Sequence, residues 1–88
     1  MTSPDKLLVQ QIRAGNEGAW QTLIDPYEGR LTAFVRRRLT QASAVEDIVQ
    51  ETFIGFLTSI PNFDDNRPIQ GFLFTICAFK LTDHLRRE

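Results

Sequence analysis

Apolar residues recur along this chain at helical rather than strand spacing. No stretch of four or more residues alternates cleanly, and glycine, proline or polar turns divide five amphipathic segments. The first runs from about Pro4 to Ala14. Ser3 is its expected cap, Pro4 suits the first helical position, Leu7, Leu8 and Ile12 form its apolar stripe, and Gly15 ends it. Asn16 caps a second segment over about Glu17 to Asp25, where Ala19, Trp20, Leu23 and Ile24 share a face. Pro26 is expected to break or kink the chain and to open a third helix to about Leu39, which carries Tyr27, Leu31, Phe34 and Val35.

The fourth segment, about Ala44 to Ser59, is the most informative. Ser43 and Glu46 have the spacing of a capping box. Val45, Ile48, Val49, Thr52, Phe53, Phe56, Leu57 and Ile60 form a broad core stripe. Asp47, Glu51, Ile54 and Thr58 follow one another at i, i+4, i+7 and i+11, with Gln50 beside them, so they share the opposite face. A merely solvating face has little use for Ile54. Pro61 stops this helix, the loop NFDDNR follows, and Pro68 opens a fifth helix that runs to the end of the sequence. Its first half, FLFTICAF, is apolar nearly all round, so it is either central in the bundle or buried on one side and offered to a partner on the other. Its second half carries Lys80, Asp83, His84, Arg86 and Arg87 without a C-cap or glycine, and we expect the natural protein to continue beyond it. The expected fold class is all-α, a compact bundle of four to five helices over residues 1–88.

Composition narrows the chemistry. Eighty-eight residues make one small domain, and 42% hydrophobic with 24% charged residues argues against disorder. A single cysteine excludes an internal disulfide, and Cys77 with His84 cannot build the usual zinc site, so neither metal nor cofactor is expected. Cys77 reads as a small core residue and Trp20 as a packing anchor between the first helices. No apolar run reaches the roughly 20 residues of a membrane span. The start, MTSPDKLLVQQ, lacks the pattern of a signal peptide, so a reduced, cytoplasmic and soluble protein is expected. Net charge is −1, but eight of the ten Lys+Arg lie from Arg30 onward, with runs at 36–38 and 86–87. A neutral total can therefore hide basic and acidic faces, or the basic runs only complement helix ends. No grouping of nucleophile, base and orienting residue is visible, so the chain does not read as an enzyme. A metal-dependent nuclease built on Asp64, Asp65 and Asp83 rests on carboxylates alone and is the weakest of the readings.

The stretch from Val45 to Arg87, VEDIVQETFIGFLTSIPNFDDNRPIQGFLFTICAFKLTDHLRR, resembles region 2 of bacterial sigma-70 family factors, most closely the extracytoplasmic-function (ECF) group. The resemblance rests on Glu46 to Phe53, on the phenylalanine-containing loop Asn62 to Arg67, and on the aromatic helix Phe72 to Arg87, in that order and without an internal gap. The upstream GNEGAW segment and the arginine-rich helix end are similar too. Nothing resembles region 4, which makes the chain an expected N-terminal fragment.

The resemblance implies function through binding. Region 2 docks on the β′ clamp helices of core RNA polymerase, melts the promoter minus-ten element and captures its non-template strand. An anti-sigma factor, common in the ECF group, is a candidate partner; no membrane is implicated. Position by position, Asp47, Gln50, Glu51 and Ile54 match the polymerase-binding face, where carboxylates would form charge-assisted hydrogen bonds with basic clamp groups. Arg37 lies within the Arg36–Arg38 run, which matches the family's basic stretch before the clamp-binding helix and either touches polymerase or non-template DNA or only caps a helix. Asn62, Phe63, Asn66 and Arg67 match the base-capturing loop: the amides can read a base edge, and Phe63 either stacks or pins the loop to the core. Asp64 and Asp65 would repel a phosphate backbone unless they point away or accept from cytosine. Lys80, His84, Arg86 and Arg87 match the DNA-facing helix end, with phosphate contact as the default role. Four such contacts to a single strand give a log–log salt slope of roughly −2.8. The sequence departs from the family where Phe72 replaces a frequent tryptophan and where Thr75 and Phe79 replace frequent Arg and Asn. The acidic loop and the missing polar residues at 75 and 79 support an alternative, a sigma-like helical interaction module without specific DNA binding.

Overall fold

The computed structural model describes residues 4–64 and 66–87, with side chains for 6–64 and 66–87. It contains α1 (Pro4–Arg13), α2 (Glu17–Arg36), α3 (Ala42–Ser59), a 3₁₀ turn (Ile60–Asn62) and α4 (Ile69–Arg87), and no strand among the described residues. The expected caps at Ser3 and the contribution of Asp65 lie outside the described residues.

Gly15 closes α1. Its φ of +86° is a left-handed conformation that side chains disfavour. It lets Gly15 N–H reach Ile12 O (2.9 Å) and Asn16 N–H reach Gln11 O (3.0 Å), the paired bonds of a Schellman end. The chain then turns directly into α2, where Asn16 Oδ1 accepts the N–H of Ala19 at 3.1 Å. Of the expected stripe, Ile12 packs against the core and Leu7 is exposed, and Val9, outside that stripe, is fully buried.

The expected second and third helices are one. α2 passes through Pro26 without a break. Proline forfeits one backbone hydrogen bond, but Pro26 faces solvent, Leu31 and Val35 lie buried across the helix from it, and Leu23 is buried one turn before it. Packing along a single apolar face thus outweighs a local penalty of about 3 kcal/mol. α2 also ends at Arg36, earlier than expected, although Leu39 in the following turn is buried.

α3 begins two residues before the expected position. Gln41 is its N-cap, without a side-chain bond, and Ser43 lies inside the first turn, so the capping box does not form. The alanines at 42 and 44 are strong helix formers and carry the first turn. Seven residues of α3 from Ala44 to Phe56 are buried. Leu57, expected in the core, is 49% exposed.

α4 runs antiparallel to α3 and parallel to α2. Phe72 meets Phe56 (ring centroids 5.7 Å apart), while Phe34 meets Phe74 (5.4 Å) and Arg30 bonds Gln70 (3.3 Å). Close approach is possible because position 55 is glycine: a Cβ there would stand 3.3 Å from Ile76 Cγ2. Ile69, Leu73, Cys77 and Leu81 form the buried stripe of α4, which settles its apolar half as buried on one side with Phe79 left outside. Buried Thr52 donates to Ile48 O at 2.7 Å. Burial pushes the Cys77 thiol above its ordinary pKa, and a hydrogen bond with Thr52 offsets this in part. Trp20 packs on α3, stacked on Phe56 and edge-on to Phe53, and lines a depression with Ile12 of α1.

Candidate functional site

Two surfaces with different chemistry stand on this scaffold. The first is the outer face of α3. Asp47, Gln50, Glu51, Ile54 and Thr58 are all exposed, as their i, i+4, i+7 spacing requires, and Ile54 is 62% exposed. An open groove of about 620 Å³ runs beside this ridge between α2 and α3. Its floor is apolar (Trp20, Ile24, Val49, Phe53), its rim includes Glu28, Glu46 and Gln50, and Ile54 and Leu57 form one wall. The exposure of Leu57 is therefore part of a surface feature, continuous with Ile54. Arg37 is exposed as the C-cap of α2. The neighbouring Arg38 lies over the Phe34 ring at 4.6 Å and donates to Phe34 O, so that member of the run belongs to the helix end.

The second surface begins at the loop after α3. Asn62, Asn66 and Arg67 are exposed. Phe63 is only 7% exposed and packs against Phe72 (4.8 Å between centroids) and Phe56 (5.6 Å). Of the two roles open to Phe63, this burial against the core is what the pin requires. Asp64 also has a local task. Its carboxylate accepts the N–H of Asn66 at 3.0 Å and its carbonyl accepts the N–H of Arg67 at 2.9 Å. The acid thus folds the loop that carries the two neighbouring side chains.

Arg13 joins this site from the other end of the sequence. Its Nε donates to Ile60 O at 3.0 Å and its Nη2 donates to Phe63 O. Sequence reasoning did not find it, because an arginine in the last turn of α1 reads as an ordinary complement to the helix dipole; the partner carbonyls are 47 and 50 residues away.

The four residues matched to the DNA-facing end of α4 do not share one face. Lys80, His84 and Arg87, at i, i+4 and i+7, continue from the side of the buried stripe, and Lys80 and His84 are half-buried. Arg86 lies across the helix with Phe79, Thr75, Ala78 and Thr82 along a shallow depression of about 390 Å³. Arg87 pairs with Asp83 at 3.4 Å, in an exposed geometry of little energetic weight. Phe79 is 70% exposed, and the Thr75 hydroxyl is already donated to Gly71 O. At 1.5 Å per residue, Lys80 stands about 16 Å and Arg87 about 27 Å along α4 from the loop end. Among the described residues no group of three His, Cys, Asp or Glu could hold a metal ion, and no helix is long and apolar enough to cross a membrane.

Comparison with known proteins places this arrangement. The family model for sigma-70 region 2 matches residues 23–88. The chain is 29% identical over 83 residues to the ECF RNA polymerase sigma factor SigW of Bacillus subtilis, covering 94% of this chain and 44% of that protein. It is 30% identical over 82 residues to the RNA polymerase sigma factor CnrH of Cupriavidus metallidurans, covering 93% and 43%. With the sigma factor NccH of Alcaligenes xylosoxydans the identity is 33% over 89 residues, covering 99% and 47%. The chain thus spans less than half the length of these relatives. An NMR structure of an engineered region 2 of sigmaE in complex with GTAAAA superposes with a TM-score of 0.84 at 27% identity, covering 97% of this chain and 88% of that one.

Proposed function

The chain belongs to the sigma-70 family, as its region 2, and from that premise we propose that it is a promoter-recognition domain that works by binding two macromolecules at once. The α3 ridge docks on the β′ clamp helices of core RNA polymerase. The loop at 62–67 and the cations of α4 hold the non-template strand of the minus-ten element. The observation that carries this reading is the exposed ridge of α3, on which a bare isoleucine follows the carboxylates of Asp47 and Glu51 and stands beside an open apolar groove. An apolar centre rimmed by charge is the usual anatomy of a protein interface. Asp47 and Glu51 supply charge-assisted hydrogen bonds and steer the encounter. Arg37, exposed at the end of α2, extends that interface.

At the second surface Asn62, Asn66 and Arg67 read and hold a strand, with Phe63 acting from beneath as their support. The related domain in complex with GTAAAA supports a nucleic-acid role for this domain. Lys80, His84 and Arg87, on one side of α4, contact phosphates and position the strand rather than specify it, while Arg86 stands across the helix. The region from the loop end to Arg87 spans about 27 Å along α4. An anti-sigma factor would act by covering either surface.

The exposed Phe79 and the engaged hydroxyl of Thr75 favour a second reading, an interaction module without specific DNA binding. One experiment separates the two. Binding of the domain to core polymerase is measured for wild type, Ile54→Glu and Glu51→Ala, and binding to single-stranded GTAAAA and a scrambled strand is titrated by fluorescence. The promoter reading expects core binding that Ile54→Glu abolishes and a clear preference for the matched strand. Core binding with equal affinity for both strands establishes the interaction module instead.

A further inference from the structure

We propose that Arg13 is a positioning residue for strand capture: its guanidinium, reaching over from the last turn of α1, holds the 3₁₀ turn and the start of the loop in the conformation that presents Asn62, Asn66 and Arg67. The inference rests on the reading of that loop as the strand-binding element and names what sets its geometry.

The chemistry begins with the end of α3. The last carbonyls of a helix have no intrahelical donor and carry partial negative charge. Here α3 passes into the 3₁₀ turn, and neither element has a basic residue in its last turn. The missing cation comes from α1. Arg13 Nε donates to Ile60 O at 3.0 Å, a carbonyl that also accepts the N–H of Phe63 at 3.2 Å, and Arg13 Nη2 donates to Phe63 O. The two carbonyls bracket Pro61 and Asn62, so one rigid fork fixes both ends of a short segment. A lysine cannot reproduce that, because an ammonium is a point charge on a flexible stem.

The hold propagates outward. Fixing the carbonyl of Phe63 fixes the peptide plane that leads into Asp64, and Asp64 closes the loop onto the N–H groups of Asn66 and Arg67. Beneath, the Phe63 ring is gripped by Phe56 and Phe72. Phe63 is thus clamped at its ring by the core and at its carbonyl by Arg13. The second clamp belongs to α1 and ties the beginning of the chain to the edge of the strand-binding surface.

The test uses Arg13→Gln and Arg13→Lys beside wild type, with two readouts. Amide hydrogen exchange reads the hold itself; affinity for GTAAAA and for a scrambled strand reads its consequence. We expect Arg13→Gln to speed exchange at Phe63, Asn66 and Arg67 while the α3 and α4 amides keep their protection. The matched-over-scrambled affinity ratio should fall about tenfold, the scale of one charge-assisted bond lost. Arg13→Lys should recover part of the ratio. Equal weakening of both strands would overturn the proposal, because it would make Arg13 a direct phosphate contact. An unchanged ratio, or loop exchange that does not respond, would also overturn it. Wild type without any preference for the matched strand would defeat the reading of the loop and this inference with it, whereas a wild-type preference that survives Arg13→Gln defeats this inference alone.

Discussion

Truncating Phe63 gives the sharpest test of the division between support and contact in the loop. A stacking residue and a buried pin respond in opposite ways to Phe63→Ala. The ring is 7% exposed and meets two aromatic neighbours at 4.8 and 5.6 Å. Complete Phe→Ala truncation in a core costs about 3–5 kcal/mol, including roughly 0.5–1.5 kcal/mol for each lost aromatic pairing. Phe63 lies at the margin of the core beneath a loop that can partly collapse, so the low end applies, about 3 kcal/mol. A domain of this size is stable by roughly 4–13 kcal/mol, and 1 kcal/mol shifts its melting temperature by about 4–8 °C. The expected fall is therefore about 12–24 °C, read by circular dichroism at 222 nm. Oligonucleotide affinity should fall with it because the loop loses its floor. Phe63→Leu, which keeps most of the apolar bulk, should recover at least half of the stability. A melting temperature within about 4 °C of wild type for Phe63→Ala, combined with lost strand binding, would refute the reasoning: it would mean that the ring contributes little to folding and is spent on the base.

What could be read from the sequence follows from the range over which each residue acts. The helical class, the cap at Asn16, the stop at Gly15 and the exposed face of α3 depend on neighbours within a turn or two, and periodicity displays them directly. Pro26 misled because its local effect is unfavourable to a helix, while the packing that overrides it, Leu23 and Leu31 on one buried face, is tertiary. Ser43 misled for a related reason: a capping pattern needs the helix to begin there, and two alanines let it begin earlier. Leu57 follows the period of the core stripe, yet it stands where α2 leaves the groove open. The resemblance groups Lys80, His84, Arg86 and Arg87 as one helix end, although 80, 84 and 87 occupy one side of the helix and 86 another. Arg13 was invisible because its partners are carbonyls of a turn almost fifty residues away, and a backbone oxygen has no residue signature.

Three further expectations follow from these placements. Asn16→Ala removes the acceptor for Ala19 N–H and should cost about 1 kcal/mol, a fall of roughly 4–8 °C in melting temperature; no change would show that backbone geometry alone caps α2. Burial raises the Cys77 pKa above its ordinary value of 9.0, so the stabilising preference for the neutral thiol is fully present below that pH and is lost as pH rises through the folded-state value. The urea midpoint should therefore fall more between about pH 8 and pH 10.5 in wild type than in Cys77→Ala, and equal falls would contradict the buried thiol. The third concerns salt. Four cations on one side of α4 would give a slope near −2.8 for a single strand, but Arg86 lies across the helix from Lys80, His84 and Arg87, and a strand following one side meets at most three of them. The slope of log K against log salt should be near −2 or shallower, and Arg86→Ala should leave it unchanged while Lys80→Ala reduces it by about 0.7. A slope near −2.8 that Arg86→Ala flattens would require the strand to cross α4 and to pass over the exposed Phe79, which would bring that ring into the binding surface.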